Sequence, residues 1–134
     1  MNIATFGKFF LIVALFVSSF PAPAFSAPVT KAAAHPMVGT WQAEVNEFGQ
    51  RFRIVWRINA DGTSAYRFIY RDGFISDYGV WGYENGVVYE EWPSGLVGAG
   101  AVRWVNNNYF VLTILENGNP LYRGLQRHYT RIAY

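Results

Sequence analysis

The chain has 134 residues, no cysteine, a formal charge of +2, and an aromatic load of five Trp, nine Tyr and eleven Phe. Without thiols there is no disulfide, no thiolate nucleophile and no cysteine-held metal. Both lysines, Lys8 and Lys31, precede Met37, beyond which nine Arg balance nine Asp and Glu; a neutral domain argues against a nucleic-acid partner held by bulk charge.

Lys8 is followed by the apolar run FFLIVALFVSSF, Phe9 to Phe20, and then by the small-residue stretch PAPAFSA. This order of basic, apolar and small residues is that of a secretory signal peptide. The run is shorter than the ~20 apolar residues of a spanning helix, so no membrane span is expected. Residues 1–26 are expected to be removed, with cleavage after Ser26 and with Ala24 and Ala27 as alternative sites, placing the protein in the periplasm or outside the cell. Residues 27–36, APVTKAAAHP, are small, Pro-containing and without alternation, the pattern of a flexible leader. Residues 37–134 remain as one domain.

From Val38 onward apolar residues recur at every second position, interrupted by Gly, Asn and Asp, which is the signature of strands and tight turns. The predicted strands are 38–46, 51–59, 63–71, 74–84, 87–92, 100–106, 109–116 and 121–132. Asp61-Gly62, Asp72-Gly73 and Asn85-Gly86 supply hairpin turns, and 93–100 is read as an irregular loop. With no helix to cover a flat sheet, an eight-stranded antiparallel up-and-down meander buries its apolar face and removes its free edges by closing into a barrel.

Gly39-x-Trp41 on the first strand of such a meander resembles the lipocalin (calycin-type) group, in particular its small bacterial secreted members. The resemblance implies that Trp41 plugs one end of the barrel against an Arg of the last strand, either Arg127 or Arg131. It covers the layout from Met37 to Tyr134. The further motifs and the disulfide of full lipocalins are missing, so the ligand type is not carried over.

Cross-strand partners share a face. Pairing Arg57 with Ala65 sets Trp56 opposite Tyr66, Ile54 opposite Phe68 and Phe52 opposite Tyr70, an aromatic face assigned to the interior. Arg51, Arg53, Arg57, Arg67 and Arg71 then lie outside. Ile75, Asp77, Gly79 and Trp81 follow inward on the fourth strand, and Asn85-Gly86 sets Tyr83 opposite Val88 and Trp81 opposite Glu90. Two interior carboxyls, Asp77 and Glu90, are costly unless bonded or wet.

For the last three strands two assignments compete. Val102, Trp104, Tyr109, Val111, Thr113, Tyr122, Gln126 and His128 form one face. Phe110, Leu112, Ile114, Leu125 and Tyr129 form the other, with Arg103, Arg123, Arg127 and Arg131. The first is placed inward because four Arg are more easily solvated outside. This leaves an outer apolar stripe at Phe110, Leu112 and Ile114 as a surface for a homodimer. In the reverse arrangement Arg123 or Arg103 becomes an internal partner for Glu90 and the argument for a dimer falls.

No metal site and no cofactor are expected. The leading functional expectation is a small hydrophobic or aromatic ligand held in the interior by Trp56, Tyr66, Tyr70, Trp81 and Trp104, with Glu90 and Asp77 or His128 as polar anchors. A different class is a protein-interaction module; the barrel resembles small secreted metalloprotease inhibitors, whose N-terminal tail enters the protease cleft, and Ala27 to Pro36 is the matching tail. An acid–base enzyme of the isomerase or cyclase type would need Asp77, Glu90 and His128 to converge in one cavity.

Overall fold

The computed structural model describes residues 35–134. The expected signal peptide and all but the last two residues of the expected leader lie outside the described residues. The strands are β1 (Gly39–Glu47), β2 (Gln50–Ile58), β3 (Thr63–Tyr70), β4 (Gly73–Glu84), β5 (Val87–Glu91), β6 (Val97–Asn106), β7 (Tyr109–Glu116) and β8 (Gln126–Ala133). Each pairs antiparallel with its sequence neighbour, and β1 pairs with β8 to close the barrel. Among the described residues no helix is long and apolar enough to cross a membrane.

The hairpin registers follow the alternation of the sequence. Trp56 lies opposite Tyr66 and Ile54 opposite Phe68, while Tyr83 faces Val88 and Trp81 faces Glu90 across the Asn85-Gly86 turn. The first buried layers are Trp41, Ala43 and Val45 of β1 against Ile54 and Trp56 of β2.

Three expectations need correction. First, β6 begins at Val97, not at residue 100: Val97, Gly98 and Ala99 pair with Glu91, Glu90 and Tyr89. Small residues and two glycines hide the alternation there, although Val97 and Ala99 are buried beside Val87 and Tyr89. Second, the segment before β8 is not strand. Pro120–Tyr122 forms a single 3-10 turn, capped by Asn119 Oδ1 accepting from the Leu121 N–H at 3.0 Å.

The third correction is the facing of β7 and β8. A bulge between Trp104 and Asn106 pairs Trp104 with Phe110 instead of with the next residue along. One extra residue in a strand reverses every side chain beyond it. Val102 and Trp104 stay inside as expected. Phe110, Leu112, Ile114 and Tyr129 join them in the buried interior, whereas Tyr109, Thr113 and His128 alternate to the outer side; Val111 lies there too, though buried. The stripe proposed as a homodimer surface is therefore core, and that ground for a dimer disappears.

Because the strands alternate in direction, one end of the barrel gathers the start of β1, the β2–β3, β4–β5 and β6–β7 turns and the end of β8. This is the lower end. The upper end gathers the other four connections. There β4 outruns β5: Gly73–Gly79 pairs only with β3, since β5 reaches no farther than Val80. The upper rim is left open on that side.

Candidate functional site

The lower end is sealed by side chains whose polar groups are matched. Trp41 is wholly buried, and its indole N–H donates to the Met37 carbonyl at 2.8 Å. Of the two arginines proposed to cover it, Arg131 does so, with its guanidinium carbon 4.2 Å from the centre of a Trp41 ring. The same guanidinium donates to the carbonyls of Val38 at 2.6 Å, Pro36 at 2.8 Å and Asn107 at 3.0 Å. Gly39 makes room for it: its φ of 143° disfavours a side chain, and a Cβ there would lie 2.3 Å from Arg131 Nη1.

Around this plug, Trp81 Nε1 donates to the Asn59 carbonyl at 2.7 Å and Trp104 Nε1 to the Tyr83 hydroxyl at 3.3 Å. His35 packs edge-on against Trp81 and Tyr83. Burial lowers its pKa, which favours the neutral imidazole, and Nδ1 accepts the Met37 N–H at 3.0 Å. The two described residues of the expected leader, His35 and Pro36, thus belong to the barrel floor.

The upper half holds a cavity of about 380 Å³. One wall is a ladder of rings on β2 and β3: Trp56 stacks on Tyr66 with centroids 5.2 Å apart and Tyr66 on Phe68 at 5.6 Å, with Phe52 and Tyr70 above. Val88, Leu112 and Ile114 supply aliphatic lining, and Trp92 leans on Tyr66 from the β5–β6 loop. At the rim Arg127 makes two 2.9 Å hydrogen bonds to Glu47, Nε to Oε2 and Nη2 to Oε1. Burial works against the Arg127 charge, but the hydrogen bond and charge of Glu47, together with Tyr129, outweigh it and raise its pKa.

Glu90 lies at the inner end of the cavity and is only 4% exposed. Ser64 Oγ donates to its Oε2 at 2.7 Å and the Tyr66 hydroxyl donates to its Oε1. Burial without a cation pushes its pKa up to about 8, against the opposing pull of Ser64 and Trp56. At neutral pH the group is mostly a neutral acid. Trp56 Nε1, on the same cavity, is buried with no hydrogen-bond partner.

Of the eight residues singled out in the sequence, five line this cavity: Trp56, Tyr66, Tyr70, Asp77 and Glu90. Asp77 is at the exposed mouth, where its carboxylate accepts the Tyr78 N–H at 2.8 Å. Trp81 and Trp104 are built into the floor and do not line it. His128 is outside the barrel, exposed and bonded to the Tyr109 hydroxyl, because of the β6 bulge. Asp77, Glu90 and His128 therefore do not converge, and Arg127, not Arg103 or Arg123, is the arginine brought inside. Its partner is Glu47, not Glu90.

The residues that sequence reasoning missed come from two sources. Glu47 could have been found by continuing the β1 alternation from Trp41, Ala43 and Val45. Trp92, Leu96, Asn117 and Asn119 reach the cavity from connections, where no period-two rule applies; Tyr122, placed inward from the sequence, does line it, but from the 3-10 turn and not from a strand. No group of three His, Asp or Glu suited to a metal ion occurs among the described residues.

The closed eight-stranded meander and its Trp41–Arg131 plug are consistent with a calycin-like barrel. No family model matches the chain, and no curated protein sequence matches it.

Proposed function

We propose that the protein is an exported, lipocalin-like barrel that takes a small apolar or aromatic molecule into its upper half. The observation that carries this reading is an open-ended cavity of about 380 Å³, walled by a stacked Trp56–Tyr66–Phe68 ladder, in a barrel whose other end is plugged. Ligand pockets commonly start at about 300 Å³ and combine apolar walls with a few placed polar groups. Here those groups are Glu90 and the Trp56 N–H at depth, with the Glu47–Arg127 pair at the rim.

The test is a Trp fluorescence titration against a panel of lipophilic aromatic compounds, because Trp56 and Trp92 face the cavity. A saturable change that is lost in Ile114→Phe, a substitution that fills the cavity, supports the reading. Unchanged emission across the panel contradicts it. Export rests on the Lys8 to Ala27 pattern, and N-terminal sequencing of the exported fraction should find a chain beginning at Ala27. A chain retained in the cytoplasm with Met1 in place would overturn that part.

A further inference from the structure

The shell around Glu90 is built for an anion but lacks a counter-ion. Ser64 and Tyr66 each donate a hydrogen bond to it. The Trp56 indole N–H, which can only donate, makes no hydrogen bond of normal geometry but lies near enough to Glu90 to favour its charged form. An ionised carboxylate has about four acceptor positions, so two are still open. A protonated carboxyl would need an acceptor for its own hydrogen, which the Ser64 or Tyr66 hydroxyl supplies only by giving up its own donation and which Trp56 cannot supply.

The charges on the cavity wall point the same way. Its lining contains four carboxyls, Glu47, Asp77, Glu90 and Glu116, against one guanidinium, Arg127. Glu47 occupies Arg127, and Arg123 reaches Glu116 at 3.4 Å. Asp77 at the mouth and Glu90 at depth are left uncompensated. We propose that the ligand supplies the missing cation: the cavity takes a small aromatic amine, with its ammonium against Glu90 and its ring along the Trp56–Tyr66–Phe68 ladder. Aromatic faces attract a desolvated cation, and Trp does so most strongly. An anionic ligand would meet an excess of acid, and a neutral one would leave Glu90 buried without a cation. The inference rests on the ligand-binding reading and deepens it.

Calorimetric titration with phenylpropylamine, phenylpropanol and phenylpropanoate tests it, because the three share a ring and chain and differ only in the head group. The amine should bind roughly tenfold or more tighter than the alcohol, the worth of a charged hydrogen bond. Glu90→Gln should erase that margin while alcohol binding persists, and Asp77→Asn at the exposed mouth should preserve it. An alcohol or carboxylate that binds the wild type as tightly as the amine overturns the inference, as does a margin that survives Glu90→Gln or vanishes in Asp77→Asn. Alcohol binding without an amine margin defeats this inference alone. Failure of all three probes to bind defeats the ligand-binding reading with it.

Discussion

The two halves of the barrel use similar residues to opposite ends. In the lower half Trp41, Trp81 and Trp104 each donate their indole N–H, and the Arg131 guanidinium is spread over three backbone carbonyls. In the upper half the Trp56 N–H has no partner and the buried Glu90 has no cation. Buried polar groups are normally satisfied. Where aromatic rings pack against one another and every donor is matched, the barrel is structure; where rings line a void and donors go unmatched, it has room for something else. Glu47 sharpens the contrast, since it too is a buried carboxylate but is held by Arg127 through two hydrogen bonds.

The largest expected effect separates the two carboxylates by pH. An acid whose pKa rises on folding keeps its proton in the native state while the unfolded chain has lost it. Glu90 therefore costs stability progressively as pH rises from its ordinary value of 4.5 to about 8, with the full cost reached above that window. At 1.36 kcal/mol per unit this is on the order of 4–5 kcal/mol. Urea denaturation across the window should show wild type losing stability relative to Glu90→Gln as pH rises. A constant difference would refute the assignment.

Trp41→Ala removes the plug of the lower half and should cost about 3–5 kcal/mol in chemical denaturation. Glu47→Leu strands the Arg127 guanidinium and should cost roughly 3 kcal/mol, the low end for breaking a buried pair, because the rim admits water. Gly39→Ala forces both a strained φ and a displaced Arg131, for about 1–3 kcal/mol. Phe68→Ala in the cavity wall should be the smallest, below about 1 kcal/mol in denaturation, because the ring already borders a void. If it matched Trp41→Ala, the distinction between floor and cavity would fail.

Much of this contrast was legible in the sequence, for a physical reason. Two-residue turns carry register without loss from one strand to the next, so Asn85-Gly86 alone brought Glu90 inside opposite Trp81. Gly39 and Trp41 marked the plugged end, and Arg131 was one of two arginines named to cover it. The β6 bulge before Asn106-Asn107-Asn108 has no comparable signature, and it inverted β7 and β8. With it went His128 as an anchor and the apolar stripe as a surface. The glycine-rich start of β6 hid its strand character, and the rim residues came from connections. Sequence alternation thus located the deep end of the site, Trp56, Tyr66 and Glu90, better than its mouth.

The most direct test of the account is a carbon-13 NMR titration of the Glu90 side-chain carboxyl, with and without saturating phenylpropylamine. The expected result is a midpoint near pH 8 in the free protein and a carboxylate held ionised across the neutral range when the amine is bound. A free-protein midpoint in the ordinary carboxylate range, or a midpoint that bound amine leaves in place, would contradict the claim that Glu90 is the unpaired anchor of a ligand site.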